Sequence, residues 1–126
     1  MQNNMNLEII GKFYDNHSLS IVNRYLAIEL SKYNNVVISP IDSFTSETKL
    51  SQETLQSLEN LLPKEETAVV PDIQIRHTYP PIWRWPHSND TKVVYIQPWE
   101  FTKVPFEWQY KFETFADALI TFTRWT

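Results

Sequence analysis

Short apolar runs alternate with segments of helical period along this chain, and that alternation limits its possible folds more than any other feature. Leu7-Glu8-Ile9-Ile10 reads as a first strand, closed by Gly11. After a polar turn at Asp15-Asn16, residues Leu19, Val22, Leu26, Leu30 and Tyr33 recur at steps of three and four. That spacing predicts a helix over about 18–32, with those five side chains on its buried face and Ser18 as its N-cap. Asn34-Asn35 stops the helix, and Val36-Val37-Ile38 reads as a second strand. Strand, helix and strand joined by short loops form a βαβ unit, whose two strands lie parallel.

The pattern then repeats. Residues 41–50 are polar and mixed, which reads as a loop. Ser51 is the expected cap of a second helix, with Leu50 and Leu55 at the spacing of a hydrophobic staple. Leu55, Leu58 and Leu62 supply its buried stripe, and Pro63 marks its end. A third strand is expected from about Ile73 to Arg76 and a fourth over Val93–Ile96. A short helix follows with Trp108, Phe112 and Phe115 inward, then a fifth strand over Ala118–Phe122. Between the third and fourth strands, Pro80, Pro81 and Pro86 exclude helix interior and mark a long surface connection of the functional kind. The expected fold class is α/β. It is a Rossmann-like three-layer αβα domain with a mostly parallel sheet of about five strands, helices on both faces and the first strand near the middle. No helix follows the last strand, and a central parallel strand needs both faces covered, so the domain reads as truncated at its C-terminus.

Composition sets the outer limits. A chain of 126 residues, 42% hydrophobic, is one domain with a real core, about two-thirds of its unfolded surface being buried. A net charge of −4 argues against a nucleic-acid partner. No apolar run is long enough for a transmembrane segment, and the N-terminus lacks the features of a signal peptide. The absence of cysteine excludes disulfides and thiolate chemistry and fits a cytoplasmic location. Gly11 is the only glycine, which excludes a glycine-rich phosphate loop. His17, His77 and His87 lack metal-ligand spacing, so no metal site is expected, and no cofactor is expected in this chain.

Several segments carry a family resemblance. They are Ile75-Arg76-His77-Thr78-Tyr79-Pro80-Pro81-Ile82-Trp83, Val94-Tyr95-Ile96-Gln97-Pro98-Trp99-Glu100-Phe101 with Pro105-Phe106-Glu107-Trp108, and Ala116-Asp117-Ala118-Leu119-Ile120 with Thr123-Arg124. Together with His17-Ser18-Leu19-Ser20-Ile21-Val22-Asn23-Arg24, they resemble the N-terminal domain of group-1-type glycosyltransferases with the two-domain GT-B architecture. The likeness spans nearly the whole chain and is weakest between residues 40 and 70. It implies that residues 1–126 are the acceptor-side domain of an enzyme that transfers a sugar from a nucleotide-sugar donor. The C-terminal domain of that family binds the donor, usually through a glutamate pair, and no two glutamates here have seven residues between them. The expected role is therefore the acceptor-binding half of a glycosyltransferase, inactive by itself. Its partners would be a sugar or glycolipid acceptor and, through the absent domain, the nucleotide-sugar. A stand-alone carbohydrate-binding or interaction domain without catalysis is the alternative, suggested by the clustered tryptophans. An exposed apolar surface that docks the missing half, or pairs two copies of the fragment, is a further expectation.

Open α/β sheets bind ligands beyond the carboxyl ends of their strands, which directs attention to the loops after the first, third and fourth strands. Asp15, Asn16, His17 and Ser18 lie where the first strand feeds its helix, positioned to hold an acceptor by side chains and backbone amides or simply to cap the helix. Arg76 and His77 end the third strand, His77 as base or hydroxyl partner or as a structural imidazole. Tyr79 and Trp83 line a groove or fold their loop onto the domain. Trp99, Glu100 and Phe101 follow the fourth strand. Glu100 is the candidate carboxylate base and Trp99 a sugar-stacking face or a core residue.

Overall fold

A computed structural model describes residues 5–43, 49–64, 69–97 and 105–121. The elements run β1 (Asn6–Gly11), α1 (Ser18–Ser31), β2 (Asn35–Pro40), α2 (Gln52–Glu59), β3 (Ile73–His77), β4 (Lys92–Ile96), α3 (Phe106–Phe115) and β5 (Ala118–Ile120). All five strands form one parallel sheet in the order β2-β1-β3-β4-β5. The chain leaves β1 first to one side and then to the other, so the order reverses between β1 and β3. This is the α/β architecture expected from the sequence.

Strand side chains alternate between the two faces. Leu7 and Ile9 of β1, Val36 and Ile38 of β2, and Ile73 and Ile75 of β3 share one face, where they pack with Leu26, Ala27 and Leu30 of α1 and Leu58 of α2. On the opposite face Val93 and Tyr95 of β4 are covered by Trp108, Phe112 and Phe115 of α3 and by Trp83 from the connecting loop. The sheet thus has α1 and α2 on one side and α3 on the other.

The elements depart from the sequence reading in three ways. Ser18 is the first helical residue rather than the cap. The cap is His17, in extended conformation and without a side-chain capping bond, because the Asp15 carboxylate already accepts from the His17 amide and closes the turn there. The buried face of α1 is rotated from the predicted stripe. Ser20, Asn23, Arg24 and Ala27 are buried, while Val22 and Tyr33 are 37% and 62% exposed. Periodicity assigns apolar residues inward, but here polar side chains have buried partners waiting for them. Finally, α2 stops at Glu59, with Asn60 as C-cap, short of Pro63. The Leu61 carbonyl accepts from the Ile38 amide at 2.9 Å, so the chain leaves the helix to satisfy the free edge of β2. The Ser51 cap is as expected, its hydroxyl accepting from the Thr54 amide at 3.1 Å.

β5 pairs only with β4 and forms a sheet edge, with Leu119 and Ile120 40% and 47% exposed. Phe122, expected within this strand, lies outside the described residues.

Candidate functional site

Where the strand order reverses, the carboxyl ends of β1 and β3 meet the first two turns of α1. Asn23 sits at this junction with none of its surface exposed. Its amide nitrogen donates to the Lys12 carbonyl at 3.0 Å and to the His77 carbonyl at 3.2 Å. Its amide oxygen faces His77 Nδ1 at 2.7 Å. With both donors of Asn23 engaged, that oxygen is the acceptor, so Nδ1 carries the proton and Nε2 presents a lone pair. Nε2 is buried and has no hydrogen-bond partner. Desolvation lowers the His77 pKa from 6.5 to about 4, and the imidazole is neutral at physiological pH. Gly11 makes the clamp possible: a Cβ there would lie 2.4 Å from the Asn23 amide nitrogen and 2.6 Å from the His77 carbonyl oxygen.

The loop after β1 is fixed from two sides. The Asp42 carboxylate, just beyond β2, accepts from the amides of Phe13 and Tyr14 at 2.9 and 3.0 Å. Arg24 Nη1 donates to the carbonyls of Phe13 and Asp15. Burial alone would raise the Asp15 pKa. The Ser20 hydroxyl, the His17 amide and the charges of His17 and Lys12 outweigh it and hold Asp15 below its usual value. Ser20 faces Asp15 at a geometry short of a full hydrogen bond, and its own oxygen is buried. Asn16, His17 and Ser18 stand exposed on the rim of this turn. The carboxyl-end cluster therefore consists of a neutral imidazole with an unused acceptor, a fixed carboxylate and an exposed polar rim. The exposed rim can exchange hydrogen bonds with hydroxyl groups, while the imidazole acceptor lies buried beneath it.

The other candidates after β3 divide between rim and interior. Tyr79 is 61% exposed and meets Trp108 edge-on, with ring centroids 5.9 Å apart. The Tyr79–Pro80 peptide bond is cis, and the Thr78 hydroxyl donates to the Pro80 carbonyl at 2.9 Å. Arg76, 1% exposed, lies on the face of the sheet beneath the proline-rich loop. Its Nη1 donates to the carbonyls of Ile82 and Arg84 and to the Tyr95 hydroxyl, and its Nε donates to the Gln74 side chain. These bonds strap the loop down. Trp83 is half-buried at the centre of an aromatic group, 4.8 Å from Phe112 and 5.5 Å from Tyr95 between centroids. Trp99, Glu100 and Phe101 lie outside the described residues. Asn23 and Arg24 were missed by sequence reasoning. They close the His17–Arg24 segment of the family resemblance, but as two adjacent polar residues between apolar positions of α1 they ordinarily mark a solvated face.

A cavity of about 880 Å³ lies elsewhere, on the sheet face opposite α1 and toward the amino ends of β1 and β2. None of the candidate residues above lines it. No helix among the described residues is long and apolar enough to cross a membrane. No protein-family model matches the chain, and neither the curated proteins nor the solved structures contain a match to it.

Proposed function

We propose that this chain is the acceptor-binding half of a glycosyltransferase, taking a sugar or glycolipid acceptor at the carboxyl ends of β1 and β3. The observation that carries the reading is the clamped, neutral His77 with its free Nε2 at the point where the strand order reverses. Ligands of open α/β sheets bind at that point. Asp15, Asn16, His17 and Ser18 hold acceptor hydroxyls at the rim and Tyr79 offers a flat face to sugar C–H groups, while Nε2 of His77, buried beneath the rim, takes a hydroxyl only when the side chains over it move aside. With a pKa near 4, His77 orients the hydroxyl rather than removing its proton at neutral pH. In this reading proton removal would fall to Glu100, with Trp99 and Phe101 as further acceptor contacts, roles that rest on the family resemblance alone. The sugar-transfer part of the proposal rests on the resemblance of the segments around His77 and Trp99. The nucleotide-sugar would be held by a second domain. That domain or a second copy would dock on exposed apolar surface such as Leu119 and Ile120.

A non-catalytic carbohydrate-binding domain is the second reading, favoured by the exposure of Tyr79 and Trp85, at 61% and 65%. Two NMR titrations of the chain test the proposal, one with simple sugars and glycolipid headgroups, the other with nucleotide-sugars. Shifts confined to Asp15–Ser18 and Arg76–Trp83 with the first panel are expected. Tight binding of nucleotide-sugars would contradict the acceptor assignment.

A further inference from the structure

The sheet face opposite α1 carries a continuous polar chain that the proposed acceptor site does not use. The Ser39 hydroxyl on β2 donates to one oxygen of Glu8 on β1 at 2.6 Å, and the Gln74 amide on β3 donates to the other, also at 2.6 Å. Gln74 in turn accepts from Arg76 at 2.7 Å, and Arg76 donates to Tyr95 on β4. Four neighbouring strands thus contribute to one network. Among the described residues its carboxylate, Glu8, has the neutral Ser39 and Gln74 as direct partners, the Arg76 cation being one amide removed.

Glu8 and Gln74 form part of the lining of the 880 Å³ cavity, a volume in the range of small-molecule sites. Gln74 is 4% exposed, so the carboxylate is held in position by a buried neighbour. Val37, Leu61, Leu62 and Pro86 supply apolar wall. Lys64 and His87 also lie on the lining, but among the described residues neither forms a salt bridge with Glu8, and a half-buried carboxylate of fixed orientation beside apolar wall is complementary to an organic ammonium ion. A charge-assisted hydrogen bond would then complete the valence that Ser39 and Gln74 leave open.

We infer that this cavity binds a small apolar molecule bearing an ammonium group, with Glu8 as its counter-charge. The site is independent of the sugar-transfer reading and lies on different residues. The test is an NMR titration of the full chain with three probes of similar shape: phenethylamine, phenethyl alcohol and 3-phenylpropionate. Phenethylamine should shift the amides of Leu7–Glu8, Val36–Val37 and Gln74, and bind at least about tenfold more tightly than the alcohol. The propionate should not bind there. Glu8→Gln should remove the preference for the amine while leaving alcohol binding in place, and Val37→Trp, which places an indole beside Glu8 and obstructs that part of the cavity, should weaken both. Equal binding of amine and propionate, retention of amine affinity within about twofold in Glu8→Gln, or unchanged binding in Val37→Trp would each overturn the inference. So would the absence of shifts at those amides with every probe.

Discussion

Asn23 occupies a core position on α1 although it is polar, and it is tolerated there because its two donors and its acceptor are all engaged. Each such bond contributes about 1 kcal/mol net, whereas one buried group left unpaired costs about 1–3 kcal/mol. Gly11→Ala drives a methyl group into that clamp, and overpacking of this kind costs about 1–3 kcal/mol. Urea denaturation should show the midpoint falling with an unchanged slope. His77 gives the same junction a pH signature. Its folded pKa lies near 4 against 6.5 for the free side chain, so between those values the unfolded chain binds a proton that the folded chain refuses. The stability contributed by neutral His77 is complete above pH 6.5 and is lost as pH falls toward 4, amounting to about 3 kcal/mol. Asp15, whose folded pKa lies below 3.8, loses its own contribution at still lower pH. In His77→Gln the stability profile between pH 6.5 and 4 should flatten. A profile identical to that of the unaltered chain would show that His77 is not buried in neutral form.

Among the elements, the proline-rich connection between β3 and β4 depends on one side chain. Arg76 donates to two of its carbonyls and to the hydroxyl of Tyr95, which itself donates to Ile82. Arg76→Met keeps much of the volume and removes every donor. By leaving part-buried loop carbonyls without their Arg76 donor it should cost about 1–3 kcal/mol and release the loop. Limited proteolysis between Tyr79 and Trp85, with a red shift of tryptophan emission, is the expected readout. Loss of the Ser51 cap is a smaller matter: Ser51→Ala should lower stability by about 1 kcal/mol in thermal unfolding. The elements themselves were legible because apolar runs and helical spacing report local structure directly. The rotation of α1 was not. Val22 and Asn23 are neighbours on the helix, and only the partners of Asn23, at Lys12 and His77, decide which of them turns inward. The early end of α2 likewise depends on a bond to Ile38 that no local pattern encodes.

For the whole molecule, the alternation of elements was enough to anticipate a parallel five-stranded α/β sheet, and the carboxyl-end rule then pointed to the turn after β1 and the end of β3. Both segments do meet at one junction, with His77 in it. Arg76 and Trp83 are close by in sequence but belong to the interior, because strand alternation and the aromatic group around Phe112 turn them away from that rim. The polar face with Glu8 was invisible in the sequence, where Glu8 and Gln74 read as ordinary breaks in apolar strands. The two proposed ligand sites are separated in the fold, one at the carboxyl ends of β1 and β3 and the other toward the amino ends of β1 and β2. In the proposed function, sugars use the carboxyl-end junction. Paramagnetic line broadening with a nitroxide-labelled glycoside tests it most directly. The prediction is that the amides of Asp15–Ser18 and His77–Trp83 broaden, while those of Glu8, Val37 and Gln74 remain sharp. Broadening at the Glu8 face, or none anywhere in the chain, would contradict it.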